Sequence, residues 1–333
     1  MGLEPMESFT KVKLDDQQLR ALAASTFGTD TAIISSKELT GGFFNSAYDL
    51  ELSDGRSVIL KIAPAAETET LSYEKDIMRA EVEALRLVLA AGTVPVPAVY
   101  GFDESLELIP SPYFFMEKVE GYPYIEVKDN LPDEVKISIE RELGRYQRLI
   151  NGIKGERFGL FGQPPDTAGR TWRETFTAMI HNVLDDGQRL GAVLPASYDE
   201  IKQGLEKYFP ALDEVTEPRL IHWDLWNGNI FVKDGVIVSI IDWERALWGD
   251  VLMEYYFRHF ENSPAFFEGY GATFDSPNER LRIKLYDLYL DLILVIECYS
   301  RQYKDENHVR WAFENLQETL KEFVGNDNIN YND

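Results

Sequence analysis

The sequence is poor in cysteine, in basic residues and in long apolar runs. Cys298 is its one cysteine among 333 residues, which excludes an internal disulfide and sets a reducing, cytoplasmic setting as the expectation. It lies in DLILVIECYS, an apolar helical stretch, and so reads as a buried structural thiol rather than a nucleophile. No basic segment followed by an apolar run opens the sequence, the pattern of a secretory leader. No uninterrupted apolar stretch reaches the roughly 18 residues of a membrane span, so no membrane partner is expected. Lysine and arginine total 33 against 57 acidic residues, a formal charge of -24. Such a surface repels a phosphate backbone and argues against nucleic acid as a partner. The same charge keeps a soluble protein dispersed and tolerates a cationic small molecule.

Core-forming material is plentiful: 44% of the residues are hydrophobic and 13% aromatic, which excludes global disorder. The length favours two lobes over one core. In the first, residues 14–28 form an amphipathic helix capped by an aspartate and stopped by Gly28. An extended stretch over 33–39 follows, then two β-favouring runs around Asp54-Gly55, a strong hairpin signal. Alternation through Val58–Ile62 places Lys61 inside a strand among apolar neighbours. Its amine either snorkels outward or serves as a fixed cation for nucleotide phosphates. The turn at 40–46, with Gly41, Gly42 and Asn45, precedes the same hairpin. Adjacent glycines let backbone approach phosphate without a Cβ clash. A helix over 73–90 carries Glu81 and Glu83, either of which can orient the Lys61 amine. Strands at 98–102 and 113–119 complete a small sheet carrying one helix. The extended segment 117–121, with Glu117 and Val119, offers backbone groups to a flat ligand such as adenine.

The second lobe reads as helical, with helices over 133–149, 171–185, 197–208 and within 281–324. The loop at 155–170 is either a lid or a plain connection. Within this lobe lies IHWDLWNGNIFVKDGVIVSIIDWERALWGD, residues 221–250. NIFVK and VIVSII flank Asp234-Gly235, so a two-residue turn sets Lys233 opposite Val236. The same register sets Asn229 opposite Ile240, with Asp242 two positions, about 6.6 Å, beyond. Asp224, Asn229 and Asp242 thus gather at the open end of one hairpin. Asp224 suits the acceptance of a proton from a substrate hydroxyl, while Asn229 and Asp242 are hard oxygen ligands for Mg²⁺. His222 either ligates a metal or fixes the loop by hydrogen bonding.

His222-x-Asp224-Leu225-x-x-x-Asn229 and Ile241-Asp242-Trp243-Glu244 resemble the catalytic and metal-binding segments of the aminoglycoside phosphotransferase and choline-kinase-like family. These are small-molecule relatives of protein kinases. The resemblance implies an α+β, two-lobed protein-kinase-like fold with an antiparallel-sheet N-lobe at 1–118 and a mainly helical C-lobe at 119–333. It further implies ATP- and Mg²⁺-dependent transfer of a γ-phosphate to a small-molecule alcohol. Asp224 would be the catalytic aspartate, Asn229 and Asp242 the magnesium ligands, and Lys61 the phosphate-contacting lysine. Glu81 would be the partner of Lys61, Gly41, Gly42 and Asn45 part of the nucleotide loop, and Glu117 and Val119 part of the adenine-binding connection. Trp223 stands where the family often has glycine, and Trp226 resembles the ketosamine-kinase branch. Glu244, Glu254, Glu261 and Glu268 are candidate contacts for a cationic acceptor such as an amino-sugar or amino-alcohol. Asp250 is either a further contact or a loop anchor. An ATP-binding module that has lost turnover is the alternative class. A protein kinase is disfavoured because no D-F-G and A-P-E activation segment is evident.

Overall fold

Alternation along the strands decides how the first lobe is layered. The computed structural model describes residues 11–40, 44–65, 67–161, 171–255, 263–303 and 305–325. Five antiparallel strands, β1 (Ile33–Leu39), β2 (Ser46–Leu52), β3 (Ser57–Ile62), β4 (Val99–Asp103) and β5 (Tyr113–Glu117), lie in the order β1-β2-β3-β5-β4. Val58, Leu60 and Ile62 of β3 point to one face with Tyr113 and Phe115 of β5. There they bury against Leu19, Leu22 and Ala23 of helix α1 (Asp16–Phe27). Phe114 and Met116 point to the other face, against Met78, Val82, Leu85 and Val88 of helix α2 (Ile77–Ala91). The sheet therefore carries two helices, one per face, where one was expected. A period of two makes Lys61 share the α2 face.

Local signals hold at the element ends. Asp15 caps α1 by accepting from the N–H of Gln18 at 2.8 Å, and the Gln18 side chain accepts from the Asp15 N–H at 3.0 Å. The Asp54-Gly55 hairpin closes through Leu52 N–H to Arg56 O at 2.9 Å, with Gly55 left-handed at φ 88°. Helix α2 starts at Ile77 rather than at 73. Residues Ser72–Glu74 instead form a 3₁₀ turn, because Leu71, Tyr73 and Ile77 are drawn into the core of the second lobe.

After β5 the chain enters a second sheet, β6 (Tyr122–Pro123), β9 (Ile230–Lys233) and β10 (Val236–Ile240), with β9 central. A third small sheet joins β7 (Gly159–Leu160), β11 (Leu247–Gly249) and β8 (Arg219–Ile221). Around these lie α3 (Tyr124–Val127), α4 (Asp133–Gly152), α5 (Trp172–Arg189), α6 (Tyr198–Glu206), α7 (Pro264–Tyr270), α8 (Pro277–Arg301) and α9 (Glu306–Val324). Helices α5, α6 and α8 each open with a capping box, Thr171 with Glu174, Ser197 with Glu200 and Ser276 with Glu279. Helix α8 is apolar from Leu288 to Ile296 apart from Asp291, and this stretch is buried in one core with residues of α5, α6 and α9. Cys298 is buried on it, its Sγ donating to Leu294 O at 3.1 Å, and burial pushes its thiol up to about 11. Among the described residues no helix is long and apolar enough to cross a membrane.

Helices α4 and α7 cross with backbones touching, which glycine alone permits. A Cβ on Gly144 would meet the carbonyl of Phe266 and the N–H of Tyr270, and one on Gly269 would meet the carbonyl of Arg141. Gly144→Ala is expected to lower stability by about 1–3 kcal/mol, as overpacking does. Gly152→Ala, whose Cβ would meet nothing within 4 Å, is the control and leaves the urea midpoint near that of the parent.

Candidate active site

Lys61 joins the two lobes. Its Nζ lies 2.8 and 2.7 Å from the two carboxylate oxygens of Glu81 and 2.8 Å from Oδ1 of Asp242. Helix α2 presents Glu81 on the stripe that packs against the sheet, fully buried, while Glu83 faces solvent. Of the two candidate partners the helix phase thus selects Glu81.

Asp242 reaches Lys61 through a local irregularity. Asp234 and Gly235 are both left-handed, φ 50° and 78°, the two-residue turn expected, with Val236 opposite Lys233. The expected register then fails: a bulge between Ile237 and Ser239 shifts the pairing by one, so Ile240 faces Ile230. Asn229 instead bonds Ile241, its carbonyl accepting from Ile241 N–H at 3.0 Å. Asp242 is one residue closer to Asn229 than an unbroken ladder allows. It also takes φ 65°, which turns its carboxylate toward Lys61; aspartate tolerates this region better than most residues.

The loop before β9 is held by its own backbone. His222 is fully buried, its Nε2 is 3.0 Å from Ile241 O, and its Nδ1 accepts from Asp224 N–H at 3.2 Å. Both ring nitrogens are engaged, and burial lowers the imidazole to about 4. Of the two roles open to His222, these bonds match the fixing of the loop. Glu254, also buried, accepts from the N–H groups of His222 and Trp223. Trp223 has φ 59°, a strained region for a bulky residue and the physical reason glycine suits that position. Its ring turns into the core and stacks on Tyr289 at 5.2 Å, 6° from parallel. It does not line the cleft.

Asp224 and Asn229 face each other across the loop. The Asn229 amide donates to the backbone oxygen of Asp224 at 2.8 Å and to its Oδ2 at 2.9 Å. With its NH₂ so occupied, the amide oxygen is the end left for a cation. A cleft of about 580 Å³ brings Asn45, Lys61, Asp224, Asn229, Asp242 and Glu244 together. Asn45 donates to Glu244 at 2.9 Å. Carboxylate oxygens of Glu81, Asp242 and Glu244 all lie within 4.8 Å of one another, a hard oxygen set that fits Mg²⁺.

These carboxylates are held in different states. Burial pushes Asp224 up to about 7, with Asp242 and Glu297 adding to it and Arg245 and Asn229 opposing. Glu244 is pushed up to about 8 by burial and by Asp242. Burial opposes the charge on Lys61, yet Asp242, Glu81 and Glu244 together raise it well above its ordinary value. Burial also opposes the charge of Asp242, and Lys61 outweighs it, so this carboxylate is lowered.

Other expected residues are more dispersed. Gly41 and Gly42 lie outside the described residues, as do Glu261 and most of the 155–170 loop. Glu117 ends β5, its carboxylate accepting from Ala98 N–H at 3.2 Å, and Val119 follows, half-buried. Asp250 anchors its loop, accepting from Arg282 and Tyr286 at 2.8 Å each. Glu268 is exposed and pairs with Arg141 at 2.8 Å. With Glu254 holding backbone, Glu244 alone of the described acidic candidates reaches the cleft. Residues 281–324 were expected to be core only. Yet Leu294, Glu297 and Arg301 of α8, Tyr303, and His308 and Trp311 of α9 form one wall of the cleft, beside Arg245. The available signal was Glu297 and Arg301, charges one helical turn apart in an apolar helix.

The family model described as "Phosphotransferase enzyme family" matches residues 35–286, and the chain belongs to this family. Its fold is similar to that of a candidate fructosamine-3-kinase from Haemophilus somnus 129PT, with TM-score 0.68 and 20% identity over 91% of this chain and 97% of that one. A thermostable mutant of aminoglycoside phosphotransferase APH(4)-Ia, in ternary complex with AMP-PNP and hygromycin B, matches with TM-score 0.64. It is 18% identical, over 92% of this chain and 99% of that one. At these identities the likeness is one of fold, the two-lobed kinase-like fold expected. Mouse (Mus musculus) acyl-CoA dehydrogenase family member 10 is 22% identical over 217 residues, 63% of this chain. The chain spans 18% of the length of that curated relative.

Two outcomes follow from strain and burial. Folding favours the acid form of Asp224, so the cost of ionising it is absent below its ordinary 3.8 and complete above about 7. Asp224→Asn is expected to raise Tm at pH 8, progressively less toward pH 5, and not through this effect near pH 3.5. A uniform shift across that range would contradict the burial cost. Trp223→Gly relieves backbone strain of about 1–3 kcal/mol but removes a buried indole, about 3–5 kcal/mol. The net expectation is a loss of about 2 kcal/mol in denaturant unfolding.

Proposed function

We propose that the protein transfers the γ-phosphate of ATP to a hydroxyl of a small molecule in the presence of Mg²⁺. The observation that supports this most is the convergence of the Lys61–Glu81–Asp242 bridge and the Asp224–Asn229 pair on one cleft. Lys61 and the loop through Asn45 hold the nucleotide phosphates, and the connection carrying Glu117 and Val119 takes the adenine. Asn229 and Asp242, with Glu244 beside them, hold the metal, which when bound screens phosphate charge. Asp224 accepts a hydrogen bond from the acceptor alcohol and then its proton. The alcohol oxygen bonds to the γ-phosphorus, the bond from that phosphorus to the β–γ bridging oxygen breaks, and ADP leaves with that oxygen. Positioning and charge stabilisation carry the rate, with no covalent bond to the protein. A cleft between the lobes would exclude water, whose reaction would waste ATP.

Trp226 faces this cleft, and two solved relatives, from Haemophilus somnus 129PT and Thermobifida fusca YX-ER1, are candidate fructosamine-3-kinases. A ketosamine therefore belongs in any acceptor panel. The test incubates the protein with ATP, Mg²⁺ and amino-sugars, ketosamines, amino-alcohols and hydroxy acids, and reads the mass gain of one phosphoryl group. In Asp224→Asn the rate should fall about 10²–10⁴-fold with ATP binding retained; undiminished transfer would remove Asp224 from its role. For the parent, kcat/KM should rise with pH through about 7 as the base loses its proton. ATP binding without transfer to any member would favour a module that has lost turnover.

A further inference from the structure

The wall of the cleft beyond Asp224 is built from hydrogen-bond donors and apolar surface, which bears on the acceptor. Arg245 and Arg301 line it together with Tyr303 and His308. The buried carboxylate of this wall is tied to its arginines. Glu297 accepts from Arg245 at 3.0 Å and from the Tyr73 hydroxyl, and it forms an ion pair with Arg301 at 3.3 Å. Glu244 accepts from Asn45, and Glu254 is committed to backbone. Glu126 is exposed at the mouth. An ammonium seated on this wall would lie beside the like charges of Arg245 and Arg301.

Arg245 is different. Its guanidinium lies over the rings of Tyr73 at 5.7 Å and Trp223 at 5.9 Å, which restrains it. Among the described residues its one hydrogen bond goes to Glu297, out of five N–H donors on a planar fork. Arg301 is 4% exposed, and its Nε has no hydrogen-bond partner among the described residues. Large apolar side chains ring the same cleft: Trp226, Leu294, Ile125 at 50% exposure and Trp311 at 39%. Exposed side chains of this size converging on one cleft mark a surface that is covered when a ligand binds.

We propose that the acceptor is an alcohol with an apolar or aromatic body that also bears a carboxylate, and that Arg245 takes this carboxylate while Asp224 takes the hydroxyl. The proposal deepens the phosphotransfer reading and rests on it. The overall charge of -24 does not prevent this, because exposed charges beyond about 8 Å are screened at physiological salt, whereas a forked guanidinium contact acts at hydrogen-bond range.

The test uses three probes that share a phenyl ring and a hydroxyl: 3-phenyllactate, its neutral amide, and the amine phenylalaninol. Each is titrated calorimetrically into the protein with Mg²⁺ and AMP-PNP, and each is supplied with ATP to read ADP release. The acid should bind about tenfold tighter than the amide, the worth of a charge-assisted hydrogen bond, and the amine weakest. Arg245→Gln should bring the acid down to the level of the amide, with Arg245→Lys, which keeps the charge and loses the fork, between them. Equal affinity of acid and amide, or preference for the amine, overturns the proposal in the parent protein alone. Failure of all three to bind while AMP-PNP binds overturns it as well. Failure of AMP-PNP itself to bind strikes instead at the phosphotransfer reading.

Discussion

One ammonium holds the site together. Lys61 sits on the central strand of the first lobe, yet it bonds Glu81 of α2 and Asp242 of the second lobe at once. Removing the ammonium would leave the fully buried Glu81 carboxylate without its counter-charge, which costs more than the intact bridge contributes. The arrangement is therefore better understood as a device for register than for stability. It places the strand, the helix and the β10 terminus relative to one another, and the cleft is what lies between them.

A second set of contacts keeps the lobes in that relation. The strap from Leu71 to Ile77 belongs by sequence to the first lobe but packs into the core of the second. Ser72 N–H donates to Asp186, Glu74 pairs with Arg301, and the Tyr73 hydroxyl donates to Glu297. Glu297 in turn holds Arg245, which follows Asp242 by three residues. The α8 wall of the cleft and the interlobe strap thus share one charge network. Polar groups in such a network are satisfied by one another, and displacing any one of them disturbs the rest.

How much of this was legible depended on the range of the determinants. Capping boxes at Asp15, Thr171 and Ser197 and the Asp234-Gly235 turn are local, and the sequence reading recovered the elements they bound. The bulge at Val238 was not legible, since nothing in VIVSII distinguishes a regular ladder from one with an extra residue. The early start assigned to α2 failed for a long-range reason, the pull of Tyr73 and Glu74 into the other lobe. The strain at Trp223 was visible only as a departure from glycine; its cause is φ 59°, a quantity sequence does not carry. The α8 wall of the cleft was missed because apolar periodicity in α8 masks Glu297 and Arg301.

The chemistry itself rests on a divergence between neighbouring carboxylates. Asp242 is held ionised by Lys61, which suits the metal-ligand role proposed for it, since such a ligand must remain an anion. Among the described residues Asp224 has no such cation at bonding distance; Arg245 offsets its burial only in part, and its carboxylate rises to about 7. A base with that value is ionised in part at neutral pH and still takes a proton readily once an alcohol gives it up. In the proposed reaction, two aspartates separated by one β-hairpin would thus be given opposite tasks by the placement of one lysine. Moving Asp242 by one residue, as the unbroken ladder would, changes its distance to Lys61 and with it that separation. The bulge at Val238 thus sets the geometry of the proposed site from outside the cleft lining.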